Sequence, residues 1–494
     1  MNGNCPRLMI AATGSGLGKT SLTLGLVRTL GQQGLRVQTF KVGPDFLDPT
    51  YLALASGRPC YNLDGWMTSR EYIGQLFARA TADADVAVIE GVMGLFDGAS
   101  ATRLEGSTAE IARWLDAPVL LVVHAWGAAR SLAATVYGFT HFEPTLQIAG
   151  VVANHVGSPR HVALLAESLA GASLPPLLGA VPRDALPALP SRHLGLVTAD
   201  QTNCDSQLLD RLADAMRQHL DLPRLVDLAR SAPPLAMPEA TYHPERSTCR
   251  ARLGIARDAA FHFYYPDNLQ TLEQLGVDLV PFSPLDDAAL PVDLDGLYFG
   301  GGYPEIHAQR LSSNCAMREA VCRFAASGRL VYAECGGLMY LSRALTGLDG
   351  QRFPMAGVLP VDTAMRPKLK SLGYADVLLT ADAPWGPAGA TCRGHEFHYS
   401  EIAADDSRSS AWQAVYAVRR RRGEVCNEGF CNGMVLASYV HLHWASRPAV
   451  ARHLVSRISR TPASGLDTTP LSPCGRGAGV RGSGVLFEPR KESP

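Results

Sequence analysis

Over residues 1–225 the chain alternates short apolar runs with longer stretches of helical periodicity. Runs dominated by Val, Ile, Leu and Ala fall at 8–12, 37–42, 86–90, 119–123, 148–154 and 177–181. Such runs suit strands buried on both faces, hence a parallel sheet with helical crossovers. The rhythm breaks at Ala232-Pro233-Pro234-Leu235-Ala236-Met237-Pro238, a proline-punctuated connector. It resumes at 252–256, with helices expected near 267–275 and 317–326 and strands at 277–282, 297–300 and 330–333. Beyond Phe353 the signals shift to shorter strands and turns, closing with a strand at 435–440 and a helix near 449–458. The pattern predicts an α/β chain of two domains, 1–225 and 251–458, each a mainly parallel sheet flanked by helices. Residues 226–250 are the expected linker. The tail 459–494, rich in Gly, Ser, Pro and Arg without apolar periodicity, reads as disordered.

Composition narrows the partners. In 494 residues, 45 Lys and Arg balance 46 Asp and Glu, for a formal net charge of -1. That argues against nucleic acid or an anionic membrane surface, both of which select clustered positive charge. No apolar run approaches the ~20 residues that span a bilayer, and Met1 to Arg7 lack the layout of a signal peptide. Eleven cysteines occur without any CxxC pair, as expected of reduced thiols in a cytoplasmic protein rather than of a disulfide framework or a zinc site. The oligomeric state stays open, a homodimer included.

Two stretches carry chemistry. The first is Thr13-Gly14-Ser15-Gly16-Leu17-Gly18-Lys19-Thr20, placed between an apolar strand and a helical run. Small residues let backbone N–H groups converge on phosphate oxygens, Lys19 reaches the terminal phosphates, and the Thr20 hydroxyl can ligate Mg²⁺. This predicts ATP or a related triphosphate. Lys41, Asp45, Asp48 and Glu90 stand at the ends of neighbouring predicted strands, where ligands of open parallel sheets collect. Glu90 ends a buried strand, so it should face a cation; with Thr20 and Asp45 it forms the expected Mg²⁺ set.

The second stretch is Leu330-Val331-Tyr332-Ala333-Glu334-Cys335-Gly336-Gly337, an apolar strand, one cysteine and two glycines before a helical run. That is the layout of a nucleophile elbow, with a helix N-terminus facing the sulfur. Upstream, the turn at Gly301 and Gly302 is a candidate oxyanion hole. Near the end, His441 follows a predicted strand and is the candidate base for Cys335.

An elbow cysteine, a glycine turn and a late histidine together resemble a class I (triad-type) glutamine amidotransferase domain. The segment before it resembles the P-loop domain of dethiobiotin synthetase. Combined with Phe40-Lys41-Val42-Gly43-Pro44-Asp45, Glu90-Gly91-Val92-Met93-Gly94-Leu95-Phe96-Asp97-Gly98, Pro190-Ser191-Arg192-His193-Leu194-Gly195-Leu196 and Gly394-His395-Glu396-Phe397-His398-Tyr399-Ser400, the chain is similar to the cobyrinate or hydrogenobyrinate a,c-diamide synthase family of cobalamin biosynthesis. The resemblance implies L-glutamine, ATP and a corrinoid polycarboxylate as substrates, with Mg²⁺ as cofactor. It makes Asn154 the expected adenine contact, and Lys41, Asp48, Arg192 and His193 the expected contacts to the acid substrate. A related amidotransferase acting on nickel-sirohydrochlorin or cobyric acid is the nearest alternative. A partitioning-type ATPase is disfavoured, because Gly14 stands where that type carries a second lysine. Three departures from the family pattern stand out. Ala12 replaces a usual glycine, Phe46 replaces a frequent tyrosine, and His443 replaces the acid that many class I glutaminases carry two residues after the histidine. The third member of a catalytic triad is therefore left open.

Overall fold

The computed structural model describes residues 4–189, 206–235, 250–407, 411–420 and 423–458, and the backbone of 191–192 and 195–196. Most of the expected linker and the tail 459–494 lie outside the described residues.

Seven strands form the N-terminal sheet: β1 (Arg7–Ala12), β2 (Val37–Val42), β3 (Tyr61–Leu63), β4 (Val86–Glu90), β5 (Val119–His124), β6 (Ile148–Val156) and β7 (Leu177–Pro182). Their order is β3-β2-β4-β1-β5-β6-β7, and every pairing is parallel. Successive side chains of β1 enter opposite cores: Leu8, Ile10 and Ala12 pack in one layer, Met9 and Ala11 in the other. Burial on both faces explains why the strand reads as a continuous apolar run. The three-residue β3 is too short to give a periodic signal and was not anticipated.

The second sheet has ten strands. Val277–Phe282, Ala251–Ala256, Gly296–Phe299, Leu330–Glu334 and Val435–Ser438 pair in parallel. Then Val425–Asn432, Gln413–Arg420, Ser371–Leu379, Thr391–His398 and His441–Leu442 continue antiparallel. The sheet is thus mixed, and the stretch beyond Phe353, expected as short strands and turns, contains strands of eight and nine residues. Their polar outer faces hid them: an antiparallel sheet can leave one side to solvent. Val435–Ser438 and His441–Leu442 are separated by two residues, yet stand five places apart in the strand order. The antiparallel half therefore curls back on itself, and this curl returns His441 to the end of the parallel half.

No helix among the described residues is long and apolar enough to cross a membrane.

Candidate active site

At the end of β1 the chain turns through Thr13–Gly18 into the helix Lys19–Gln32. The Thr13 N–H donates to Val122 O at 3.2 Å, fastening the loop to β5. Gly18 has φ 89, and a Cβ there would lie 2.5 Å from Asn154 Nδ2, so both backbone and space require glycine. Asn154 is buried. Its amide donates to Leu17 O at 3.0 Å and its oxygen accepts from the His155 N–H at 2.9 Å. The expected adenine contact thus braces the phosphate loop from below. Lys19 Nζ crosses the loop to Gly14 O at 3.0 Å and to Met93 O at 2.5 Å. Met93 holds φ 49, a strained conformation for a side-chain-bearing residue. Burial, reinforced by nearby Lys41, lowers the Lys19 pKa.

Beside the loop, Lys41 sits 2.5 Å from Asp48 Oδ2, 2.7 Å from Glu90 Oε1 and 3.8 Å from Asp45 Oδ2. Thr20 Oγ1 donates to Glu90 Oε1 at 2.8 Å and reaches Asp48 Oδ2 at 3.4 Å. Glu90 is fully buried, and its other oxygen, Oε2, has no hydrogen-bond partner among the described residues. Asp45 differs from its neighbours. Its Oδ1 accepts from the N–H groups of Leu47 and Asp48, at 2.7 and 3.3 Å, capping the turn that leads into the helix Asp48–Ser56. Asp48, expected to contact substrate, thus approaches Thr20 alongside the nearer Glu90, whereas Asp45, expected as a metal ligand, shapes the turn through its Oδ1. Burial pushes Glu90 up to about 7, and burial with the adjacent Asp48 pushes Asp45 up to about 7.

In the second domain, Cys335 follows Leu330–Glu334 with φ 46 and begins the helix Gly336–Leu341. This is a strained elbow, held by the Cys335 N–H donating to Ser438 O at 2.7 Å. Its glycines are sterically required: a Cβ on Gly337 would lie 2.5 Å from Phe299 O, and one on Gly336 would lie 3.0 Å from Gly302 N. The Gly302 nitrogen therefore lies against the elbow. Gly301 N–H is already committed to Phe263 O at 3.2 Å. Its part is to make room, since a Cβ there would stand 2.3 Å from His441 Cε1 and 3.0 Å from Nε2. The glycine turn thus borders the elbow through Gly302 and the imidazole through Gly301. The thiol itself makes a 3.9 Å hydrogen bond to Phe397 O rather than to His441. Burial, and then the Glu305 carboxylate, push its pKa up, so the resting sulfur is protonated and needs a base.

Three groups stand around His441 whose place there the sequence does not show, although Phe46 and His395 are among the residues it singles out. Glu334 Oε2 lies 3.7 Å from His441 Nδ1. The His395 ring stacks on His441 at 5.0 Å, with its Nδ1 2.8 Å from the Tyr265 hydroxyl. The Phe46 ring, carried by the turn between Asp45 and Asp48, lies 5.0 Å from the His441 ring and stacks on Phe263 at 5.3 Å. His443 turns away toward Asp267, 3.3 Å from Nε2. Glu334 did carry a signal: like Glu90, it is a carboxylate ending an apolar strand. Nothing in a linear pattern could have placed Phe46 against a residue almost four hundred positions away. Arg192 belongs to a two-residue strand paired with Gly195–Leu196, while His193 lies outside the described residues.

Family models match both halves. One described as "CobQ/CobB/MinD/ParA nucleotide binding domain" covers residues 8–197, and one described as "CobB/CobQ-like glutamine amidotransferase domain" covers 252–449. The fold and the paired sites thus define a glutamine amidotransferase joined to a nucleotide-binding domain. The chain is 58% identical over 456 residues to a cobyrinate a,c-diamide synthase of Syntrophotalea carbinolica, covering 92% of this chain and 98% of that one. It is 42% identical to the enzyme of that name from Leptospira interrogans (93% and 100% covered). A hydrogenobyrinate a,c-diamide synthase of Streptomyces coelicolor is 41% identical (92% and 97% covered). The chain belongs to the cobyrinate/hydrogenobyrinate a,c-diamide synthase family, as its motifs implied.

Proposed function

We propose that the chain uses ATP and glutamine to amidate the a and c acetate carboxylates of cobyrinate or hydrogenobyrinate, with the residues above in the following roles. Cys335 attacks the side-chain amide carbon of glutamine and passes its proton to His441, which returns it to the departing nitrogen. Ammonia leaves, and a γ-glutamyl thioester remains to be hydrolysed by water. Gly302 N–H, with the N–H of Gly336 at the helix start, faces the charge that develops on the attacked carbonyl oxygen.

In the other domain the loop Thr13–Thr20 cradles ATP, and Lys19 and Lys41 offset charge on the transferred phosphoryl group. The buried, unpartnered Glu90 Oε2, beside Thr20 Oγ1 and Asp48 Oδ2, forms a hard all-oxygen donor set that fits Mg²⁺. An ion bound there would take its remaining ligands from phosphate and water. Bound Mg²⁺ supplies charge neutralisation at the phosphates. Transfer of the terminal phosphoryl group, releasing ADP, makes the substrate carboxylate an acyl phosphate; ammonia attacks its carbonyl carbon, the C–O bond breaks, and phosphate leaves as the amide forms. Arg192 and His193 remain our candidates for contact with the macrocycle's carboxylates, by the fork geometry of Arg.

The observation that carries this reading is that one turn serves both sites. Asp48 approaches Thr20 and Lys41, and two residues earlier Phe46 covers His441. The test is Cys335→Ser, followed by mass spectrometry of the products from cobyrinate and hydrogenobyrinate side by side. Glutamine-driven amidation should disappear while ammonia-driven, ATP-dependent amidation persists. Retained glutamine use would contradict the assignment of the nucleophile.

A further inference from the structure

Glu334 is 1% exposed at the end of an apolar strand. A carboxylate that deep must be met by donors, and four groups gather on it. Oε1 accepts from the Tyr332 hydroxyl at 2.7 Å and from the Leu442 N–H at 3.1 Å. Oε2 accepts from the Tyr298 hydroxyl at 2.9 Å and lies 3.7 Å from His441 Nδ1, which has no hydrogen-bond partner among the described residues. The bond to Leu442, the next residue in the chain, anchors the strand that carries the imidazole. The ring is thereby oriented at both ends, with Nδ1 toward Glu334 and Nε2 toward the Gly301 turn. His443, at the position where an acid stands in many class I glutaminases, faces Asp267 instead.

We propose that Glu334 is the positioning residue for His441, the carboxylate of a triad whose acid precedes the nucleophile in sequence instead of following the base. Acting across 3.7 Å, its negative charge favours the tautomer with the proton on Nδ1 and so leaves Nε2 bare to take the proton of Cys335. It then stabilises the imidazolium until that proton moves to the leaving nitrogen. The bond that forms is S–C and the bond that breaks is C–N, the proton passing from sulfur through Nε2 to the leaving nitrogen. This inference rests on the proposed roles of Cys335 and His441.

Other titratable groups surround the imidazole. His395 is stacked on it and held neutral by burial; others are the Cys335 thiol, Glu305 and Glu396 near that thiol, His398, the His443–Asp267 pair and the Tyr265 hydroxyl. Apart from Glu334, no carboxylate among the described residues lies within 4 Å of a His441 ring nitrogen.

The test is the pH profile of kcat/KM for glutamine in Glu334→Gln. Loss of the anion should lower the plateau on the order of 10²-fold and move the acidic limb to lower pH, because the imidazolium loses its counter-charge. Ammonia-driven amidation should stay at the wild-type rate, and Glu334→Asp should recover part of the loss. A second variant, Tyr298→Phe, decides the matter even where Glu334→Gln does not fold. With one donor removed from Oε2, the carboxylate pairs more strongly with His441, and the acidic limb should move to higher pH. An unchanged profile in the variant that folds, or a lower rate with no displacement of the limb, overturns the proposal. Retained glutamine turnover in Cys335→Ser would instead overturn the underlying reading.

Discussion

A lysine with 3% of its side chain exposed would ordinarily give up its proton. Lys41 does not: burial works against its charge, but Glu90, Asp48 and Asp45 outweigh burial and raise its pKa. Asp48 gains correspondingly; despite burial, Lys41 holds it below the usual carboxylate range. Removing the amine leaves buried negative charge uncompensated, a change that costs about 3–5 kcal/mol in comparable pairs. Glu90, raised to about 7 by burial, sets a pH dependence. Below about 7 it becomes a neutral acid and a poorer cation ligand, so Mg²⁺-dependent nucleotide binding should weaken as pH falls from 8 to 6. Glu90→Gln should bind weakly at every pH, and calorimetric titrations at three pH values would check this. For folding the sign is opposite. An acid that holds its proton more tightly when folded contributes stability below its unfolded pKa, and that contribution is lost as pH rises through about 7.

In the proposed mechanism, coupling depends on the turn from Gly43 to Asp48, which reaches both sites. Asp45 closes it through two backbone N–H groups, and Pro49 fits the first turn of the following helix. Asp48 and Phe46 then serve different sites, and the Phe46 ring packs among Phe263, Tyr265, His395 and His441. Phe46→Ala should open a gap over the imidazole, through which ammonia escapes to water. Glutamate released per amide formed is expected to rise from near one to well above it, with ammonia-driven amidation little changed. Measuring both products in one reaction checks this, and an unaltered ratio would show that the ring does not seal the path.

At the scale of the whole molecule, the domains are joined by buried polar contacts as well as by Phe46. The Tyr72 hydroxyl donates to Asp267 Oδ2 at 2.6 Å, and the Tyr374 hydroxyl to Asp64 Oδ2 at 2.8 Å. Trp66 stacks on Tyr374 at 4.4 Å beneath the Arg393 guanidinium, 4.8 Å from the indole. Each lost hydroxyl leaves a buried carboxylate short of a donor, at a cost of about 1–3 kcal/mol. The double variant Tyr72→Phe/Tyr374→Phe should therefore split one calorimetric unfolding transition into two, as the domains lose their shared contacts. A single transition at an unchanged temperature would count against this view of the interface.

Local signals made much of this legible in the sequence. Runs buried on both faces marked the parallel strands, and glycines before Lys19 and after Cys335 marked the turns, because close backbone approach excludes any larger residue. The antiparallel strands beyond Phe353 were obscured by their polar faces, and β3 by its brevity. Which carboxylate serves which partner was decided only in three dimensions. Asp45 and Asp48 are equivalent as letters, yet one caps a turn and the other meets Thr20. Glu334 and Phe46 acquire their neighbours from the curl of a sheet and the docking of a domain. Short-range patterning determines where strands, helices and tight turns form; distances between residues far apart in the chain exist only after packing.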